Sequence, residues 1–382
     1  MTEALSMADS KRVVDPEGLL EYSVVFTDRS LNHMSQRFRQ VMRDISAAMK
    51  NTYSASATVL VPGGGTYAME AVARQFATDQ SCLVIRNGWF SYRWSQIFEA
   101  GNIASRVEVL KARPIGSGPN APFAPPPIDE VVDAIRDQRP QLLFCPHVET
   151  SSGMMLSHEY IVSIADAIHS VGGMLILDCI ASGAIWIDMA AVGVDVLITA
   201  PQKGWSGSPC CGVVLLSGTA AERMEATKSS SFACDLRAWH GIAQAYESGG
   251  CGYHATMPTD GLLVFRDAID ETIRFGLAEA EAAQRELGAQ VRTLFENHGM
   301  PSVAAESFQS PAVIVSYTDD PQIRSGQKFA DAGLQIAAGV PLACDEPEPF
   351  STFRIGLFGL DKLKEIDRTV GRLERALCSI AP

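Results

Sequence analysis

Gly173-Gly-Met-Leu-Ile-Leu-Asp178 is an apolar run that ends in a single carboxylate, and Val196-Leu-Ile-Thr-Ala-Pro201 is a second such run that leads into Gln202-Lys203-Gly204. Short apolar runs bounded by Gly or Pro fit strands buried on both faces. An acid at the carboxyl end of one strand and a lysine beyond the end of the next meet a specific chemical demand. Pyridoxal-phosphate chemistry needs a lysine that forms a Schiff base with the cofactor aldehyde, and an acid that keeps the pyridinium nitrogen protonated so that the ring accepts electrons. A solvent-exposed strand-end Asp and a surface Lys are the other reading of the same residues. The surrounding sequence decides between them.

From about Ala57 onward, β-rich runs alternate with helical periodicity, the mark of a mostly parallel α/β sheet covered on both faces. Strands are expected at Thr58–Pro62, Cys82–Arg86, Arg106–Lys111, Gln141–His147, Met174–Ile180, Val196–Ala200 and Cys211–Leu216, with helices at Tyr67–Ala77, Phe90–Glu99, Ile128–Gln138 and Tyr160–Val171 between them. In such a sheet ligands gather at the carboxyl ends of the strands. Pro114–Pro127, with six prolines and two glycines, reads as a surface loop. Leu262–Glu296 carries apolar residues at helical spacing and is expected to bridge to a smaller α+β C-terminal domain holding a strand at Ala312–Tyr317 and a helix at Leu360–Leu377. The division expected is an N-terminal extension over 1–20, a large domain over 21–275 and a small domain over 276–382.

With 382 residues, 47% of them hydrophobic, the chain can bury large cores. Its 44 acids against 31 bases, with no run of Lys or Arg, argue against a nucleic-acid or anionic-membrane partner. Nine cysteines without CxxC spacing fit a reducing cytoplasm and no structural metal. Neither a signal peptide over the first twenty residues nor a spanning apolar stretch of about 20 residues is expected.

Four further motifs bear on chemistry. Pro62-Gly-Gly64-Gly65-Thr66-Tyr-Ala-Met-Glu70 joins a strand to a helix, so its backbone amides suit a phosphate. It also satisfies a loose dinucleotide fingerprint, but the next strand ends in Arg86-Asn87-Gly88 where that fold wants an acid; a structural glycine turn is the third reading. Phe90, in Asn87-Gly-Trp-Phe90-Ser-Tyr-Arg93, stands where an aromatic can stack on a planar ring or pack in a core. Pro146-His-Val-Glu149-Thr150-Ser-Ser-Gly153 sets hydroxyls after a strand, as ligands or as turn residues. Arg354, in Ser351-Thr-Phe-Arg354-Ile-Gly-Leu-Phe-Gly359, needs an anionic partner, either a substrate carboxylate or a domain-interface acid.

Taken in order, these motifs resemble a class V aminotransferase of the aspartate-aminotransferase fold (pyridoxal-phosphate-dependent transferase fold type I), nearest the alanine-glyoxylate and serine-glyoxylate or serine-pyruvate branch. The resemblance runs from Asn32-His33-Met-Ser35 to the end of the chain. It implies Lys203 as the Schiff-base lysine, Gln202 as a phosphate ligand beside Gly64, Gly65 and Thr66, and Asp178 as the partner of the pyridinium. Phe90 and Ile180 would take the two ring faces, Thr150 the ring hydroxyl and Arg354 the substrate carboxylate. Gly252-Tyr253-His254-Ala-Thr256-Met-Pro258 is similar to a segment that reaches the cofactor phosphate of the partner subunit, which implies a homodimer with shared sites through Tyr253 and Thr256. The activity implied is ping-pong transfer of an amino group from a small amino acid such as alanine or serine to a 2-oxo acid such as glyoxylate or pyruvate.

The chain departs from the family in two places. Tyr22-Ser-Val-Val-Phe-Thr-Asp28 replaces the usual Gly-Pro-Gly-Pro stretch, and Trp205-Ser-Gly-Ser-Pro-Cys210-Cys211-Gly212 follows the lysine where the branch has Pro-Pro-Gly. A cysteine desulfurase or lyase of the same fold is one alternative, although Gln202 occupies the position of that group's His. Cys210, Cys211, Cys251 and Cys344 are its candidate nucleophiles. The alternative of another class is a non-catalytic binding protein on the same scaffold, against which Asp178, Lys203 and Arg354 together argue.

Overall fold

The computed structural model describes residues 19–380. Seven strands form the main sheet: β1 (Ala57–Pro62), β2 (Ser81–Arg86), β3 (Arg106–Lys111), β4 (Leu142–Pro146), β5 (Met174–Asp178), β6 (Val196–Thr199) and β7 (Cys211–Leu216). Their spatial order is β1-β7-β6-β5-β4-β2-β3. All neighbours are parallel except β7, which runs antiparallel to both β1 and β6. Two reversals restore the direction, so β1 points the same way as the parallel set. Asp178 pairs with Pro146 on one side and Ile198 on the other, and the loops leaving β4, β5 and β6 therefore emerge in one row. Every residue of β4, β5, β6 and β7 is buried, as continuous apolar runs require.

Helices cover both faces through their apolar stripes. The first, Gln36–Tyr53, is started by Ser35, whose side chain accepts from the N–H of Phe38 at 3.1 Å, and it buries Phe38, Val41, Ile45 and Met49. Ser157 caps Ile161's helix, His158–Ser170, in the same way. Helices Gly65–Phe76, Trp89–Gly101 and Ile128–Gln138 fall within two residues of expectation at their starts and ends.

Three expectations need correction. The segment expected to be one long helix is two, Thr259–Phe275 and Leu277–Asn297, because Gly276 adopts φ +103°, outside helical space. The C-terminal helix is likewise split, into Leu360–Leu363 and Ile366–Ile380. The proline-rich stretch is a surface loop only over 113–120. Beyond it Phe123–Ala124 pairs with Arg113–Pro114, and Phe123, Ala124, Pro125 and Pro126 are buried. Phe123 drives this, since its ring meets Phe350 edge-on at 6.1 Å within the cluster that also holds Val303, Tyr317 and Leu342.

The C-terminal part has its own core. Strand β8 (Val313–Tyr317) pairs antiparallel with β10 (Thr352–Gly356), and the short β9 (Ala337–Ala338) lies on the other side of β10. Helices Leu277–Asn297 and Ile366–Ile380 pack against this sheet through Leu287, Val291, Phe295, Leu373 and Leu377. A third cluster joins it to the main sheet, with Val148, Met154 and Ala181 against Val313 and Val315. That seam lies directly beneath the strand ends.

Candidate active site

Where the parallel strands end, a cavity of about 540 Å³ opens between the two parts of the chain. Each element contributes to its wall. Gly65 and Thr66 follow β1, Phe90 and Arg93 open the helix after β2, and Thr150 follows β4. Asp178 and Ile180 end β5, Gln202 and Lys203 follow β6, and Arg354 reaches in from β10. The fold thus brings together residues spread over most of the sequence.

Asp178 is buried, and the N–H of Ile180 donates to its Oδ1 at 2.9 Å. Burial pushes its carboxyl up to about 7 despite that bond, with the nearby Glu149 charge adding to the effect and Arg93 opposing it. An acid held there shares a proton readily with a cationic ring nitrogen. Beside it His147, whose Nδ1 lies 2.7 Å from the Ser182 hydroxyl, is kept neutral by burial, its pKa pushed down to about 4. Lys203 is half-buried with its Nζ 4.9 Å from the centroid of the Phe358 ring. Desolvation, then the Arg354 charge, holds its pKa below the ordinary lysine value. A larger share of neutral amine at a given pH follows, which suits both a nucleophile and a base.

Close backbone approaches shape the cradle. A Cβ at Gly65 would stand 2.5 Å from Cδ1 of Ile180, and one at Gly204 would collide with the carbonyl oxygen of Gly183. Glycine is therefore required at both positions for the strand-end loops to close on each other. Gly64 is the N-cap of the helix Gly65–Phe76 and has open space around it, so the amides of this helix start face outward unobstructed. Gln202 carries a buried side-chain oxygen without a partner, an orphan that a bound group or its water would satisfy. After Lys203, Ser206 sits at φ +57° and its Oγ accepts from the N–H of Leu360 at 2.7 Å, which ties the lysine loop to the C-terminal part. The fully buried Trp205 donates from Nε1 to the Tyr53 hydroxyl at 3.2 Å.

Phe90 owes its place to Glu149, a fully buried carboxylate that accepts from the N–H groups of Phe90, Ser91 and Ser151 at 3.1, 2.8 and 3.0 Å. The acid therefore caps the helix Trp89–Gly101 and fixes the aromatic's angle. Guanidinium carbons of Arg93 and Arg354 lie 5.2 and 5.4 Å from the Phe90 ring centroid, and Arg354 Nε donates to the Ala338 carbonyl at 2.8 Å. Arg93 also donates to the Thr66 hydroxyl at 3.1 Å. Arg93 and Phe358 were not among the residues singled out from sequence. The signal for Arg93 was its place one helical turn after Phe90, which sets it on the same face. Phe358 gave none, since its partner Lys203 is remote in sequence.

Other expected residues lie elsewhere. Tyr253 and Thr256 do not line this chain's cavity; their hydroxyls lie 3.1 Å apart and Tyr253 is 52% exposed. Tyr22 and Val24 in the divergent N-terminal stretch are exposed and also lie off the cavity wall. No cysteine lines the cavity: Cys210, Cys211 and Cys344 are buried and Cys251 is partly so. Among the described residues no cluster of His, Cys, Asp or Glu could hold a metal ion, and no helix is long and apolar enough to cross a membrane.

The cavity's features fit pyridoxal phosphate. Open amides at a helix start suit the phosphate, Phe90 and Ile180 offer apolar surfaces for a ring, and Asp178 and Lys203 supply the acid and the amine. Comparison with known proteins agrees. The chain is 24% identical over 367 residues to alanine–glyoxylate aminotransferase of Oryctolagus cuniculus, covering 91% of this chain and 86% of the relative. It is 27% identical over 351 residues to 2-aminoethylphosphonate–pyruvate transaminase of Vibrio vulnificus, covering 88% of each. The crystal structure of alanine–glyoxylate aminotransferase from Nostoc superposes with a TM-score of 0.76 at 22% identity, covering 90% of this chain and 88% of that one. A family model described as aminotransferase class-V matches residues 11–347. With that match over most of its length, the chain belongs to the class-V aminotransferases and is a pyridoxal-phosphate-dependent transaminase.

Proposed function

We propose that the enzyme takes the amino group of a small amino acid of the alanine or serine type and passes it to a 2-oxo acid such as glyoxylate or pyruvate, by a ping-pong route. One observation carries this reading: Asp178 and Lys203, at the ends of adjacent parallel strands, open into the same cavity as Arg354. The bound cofactor supplies the electron sink. Lys203 holds the cofactor covalently between turnovers and moves the proton to and from the substrate α-carbon. Asp178 keeps the ring nitrogen protonated, Phe90 and Ile180 hold the ring flat, and Thr150 binds its hydroxyl. Gly64, Gly65, Thr66 and Gln202 bind the phosphate. Arg354 takes the substrate carboxylate as a two-point, charge-assisted pair. The absence of any cysteine from the cavity wall favours this over a desulfurase. Initial rates with a panel of amino donors against glyoxylate and pyruvate test the assignment; inactivity with every small donor sinks it.

A donor carrying phosphonate in place of carboxylate, as in the name of the Vibrio relative, is the second reading. It is favoured by the two guanidinium groups about the Phe90 ring, and 2-aminoethylphosphonate belongs in the same panel. In either case Arg354→Ala is expected to raise the Michaelis constants of amino and oxo acids alike and to leave the visible spectrum of the resting enzyme unchanged. Loss of the cofactor spectrum would instead assign Arg354 to holding the two parts of the chain together.

The proposal includes a homodimer in the cytoplasm, with a large domain over 21–275, a small one over 276–382 and an extension over 1–20, whose first 18 residues lie outside the described structure. In it Tyr253 and Thr256 of each chain complete the other's phosphate site, consistent with their exposure here. Complementation tests the sharing. Chains carrying Lys203→Ala, mixed with chains carrying Tyr253→Phe and Thr256→Ala, are expected to recover activity, because one heterodimer site collects both lesions and the other has none. A mixture that exchanges subunits yet stays inactive overturns it.

A further inference from the structure

Beyond Arg354's strand lies a second cavity, of about 250 Å³, that the transaminase reaction does not use. Ile336, Ile355, Leu357 and Leu373 give it an apolar floor, while Lys362, Arg368 and Arg372 stand at its rim against a single carboxylate, Asp361. An adjoining cavity of about 310 Å³ shares Leu334 and Arg372 with it and adds Arg375. Arg368, Arg372 and Arg375 project from one face of the helix Ile366–Ile380, spaced by four and three residues.

None of these three arginines has an ion-pair partner among the described residues. Other exposed arginines, such as Arg113 and Arg285, each meet a glutamate, and half-buried Arg266 meets Asp44, Asp267 and Asp270. In a protein of formal net charge −13, acids are abundant enough to pair every base. Arg368, Arg372 and Lys362 stand beside the apolar lining of the first cavity, and Arg372 and Arg375 beside Leu334 and Ala376 of the second, so positive groups border a continuous hydrophobic bed. Guanidinium forks match phosphate oxygens two at a time and also stack on flat rings. The combined space falls within the range of about 300–1,000 Å³ typical of small-molecule sites.

The first of these cavities also shares a wall with the active site. Gln335, Ile336 and Gly356 line both the main cavity and the second one. Lys362 donates from Nζ to the carbonyl of Phe358 at 2.8 Å, and the ring of that same Phe358 lies under the Lys203 ammonium. An anion that draws Lys362 toward itself therefore pulls on the residue supporting the reactive amine.

We propose that the adjoining cavities form a second ligand site, for a nucleotide-like anion in which two or more phosphates are joined to a flat, largely apolar body, and that its occupancy is felt at the active site. The test is calorimetric titration of the cofactor-loaded enzyme with ADP, pyrophosphate and adenosine at constant ionic strength. ADP is expected to bind saturably at one per chain, and pyrophosphate and adenosine each at least about tenfold more weakly, since each offers half of the recognition. Arg368→Gln with Arg372→Gln is expected to weaken ADP at least about tenfold with cofactor content and basal kcat unchanged. Where the double variant fails to hold cofactor, Arg372→Gln alone serves, because its side chain faces both cavities. Saturating ADP is expected to shift the KM of the amino donor in the wild type and not in the variant. Absence of saturable ADP binding, equal affinity in the variant, or competitive displacement by pyruvate overturns the site. Binding with no kinetic change overturns the coupling.

Discussion

Lys203→Ala is expected to bring transamination down by at least about 10⁴-fold, the upper end of what a positioned acid–base group contributes, because the same side chain carries both the covalent link and the proton transfer. Visible absorbance from bound cofactor should be lost on dialysis. The fold should survive, since Lys203 is only half-buried and its Nζ touches one ring face, that of Phe358. Far-ultraviolet circular dichroism and the melting curve separate these outcomes from unfolding. Undiminished turnover in a folded Lys203→Ala enzyme would end the assignment of this residue. The depressed lysine pKa adds a pH signature: Arg354→Ala removes the second cause of the depression and should move the alkaline limb attributable to Lys203 upward.

Asp178→Asn is expected to cut the rate by several orders of magnitude while retaining much of the cofactor, because a neutral amide cannot keep the ring nitrogen protonated. A loss smaller than about tenfold, or about 1.4 kcal/mol of barrier, would make Asp178 structural. The same substitution should have the opposite effect on stability. In the folded chain the carboxyl stands at about 7 against an ordinary 3.8. A raised pKa means that the folded state binds the proton more tightly, so this group's contribution is full below pH 3.8 and is lost as the pH rises toward 7. At pH 8 the cofactor-free wild type carries a buried carboxylate in no ion pair and only weakly favoured by the Arg93 charge, at a cost on the order of a few kcal/mol. Asp178→Asn without cofactor should therefore melt several degrees above wild type at pH 8, with the difference shrinking toward pH 5. A variant that melts lower at pH 8 would show that the carboxylate is already compensated.

Much of the architecture was legible in the chain. Apolar runs such as Met174–Asp178 and Cys211–Leu216 read as strands buried on both faces by their shortness and bounding Gly and Pro, and the helices between them follow from periodicity. Less legible were breaks whose cause is local backbone geometry. Gly276 interrupts a pattern that is amphipathic on both sides of it, and only its φ of +103° shows that the chain turns there. The proline-rich stretch looked uniformly exposed because proline removes the helix and strand signals. Phe123 nevertheless anchors its second half in the seam between the two cores.

The sequence by itself determined the chemistry on offer: an acid after one buried strand, a lysine after the next, a glycine loop at a helix start and a late arginine. These are properties of residue type and spacing, which local chain geometry preserves. Tertiary structure decided which of them meet. Parallel register set Asp178 in line with the exits of β4 and β6, Glu149 turned Phe90 into the cavity, and β10 carried Arg354 to the same ring. It alone brought in Phe358, and it left Tyr253 and Thr256 outside this chain's cavity. Burial of Asp178 and Lys203, which displaces both of their pKa values, is a property of the packed protein, because desolvation depends on everything that surrounds a charge and not on its neighbours in the chain.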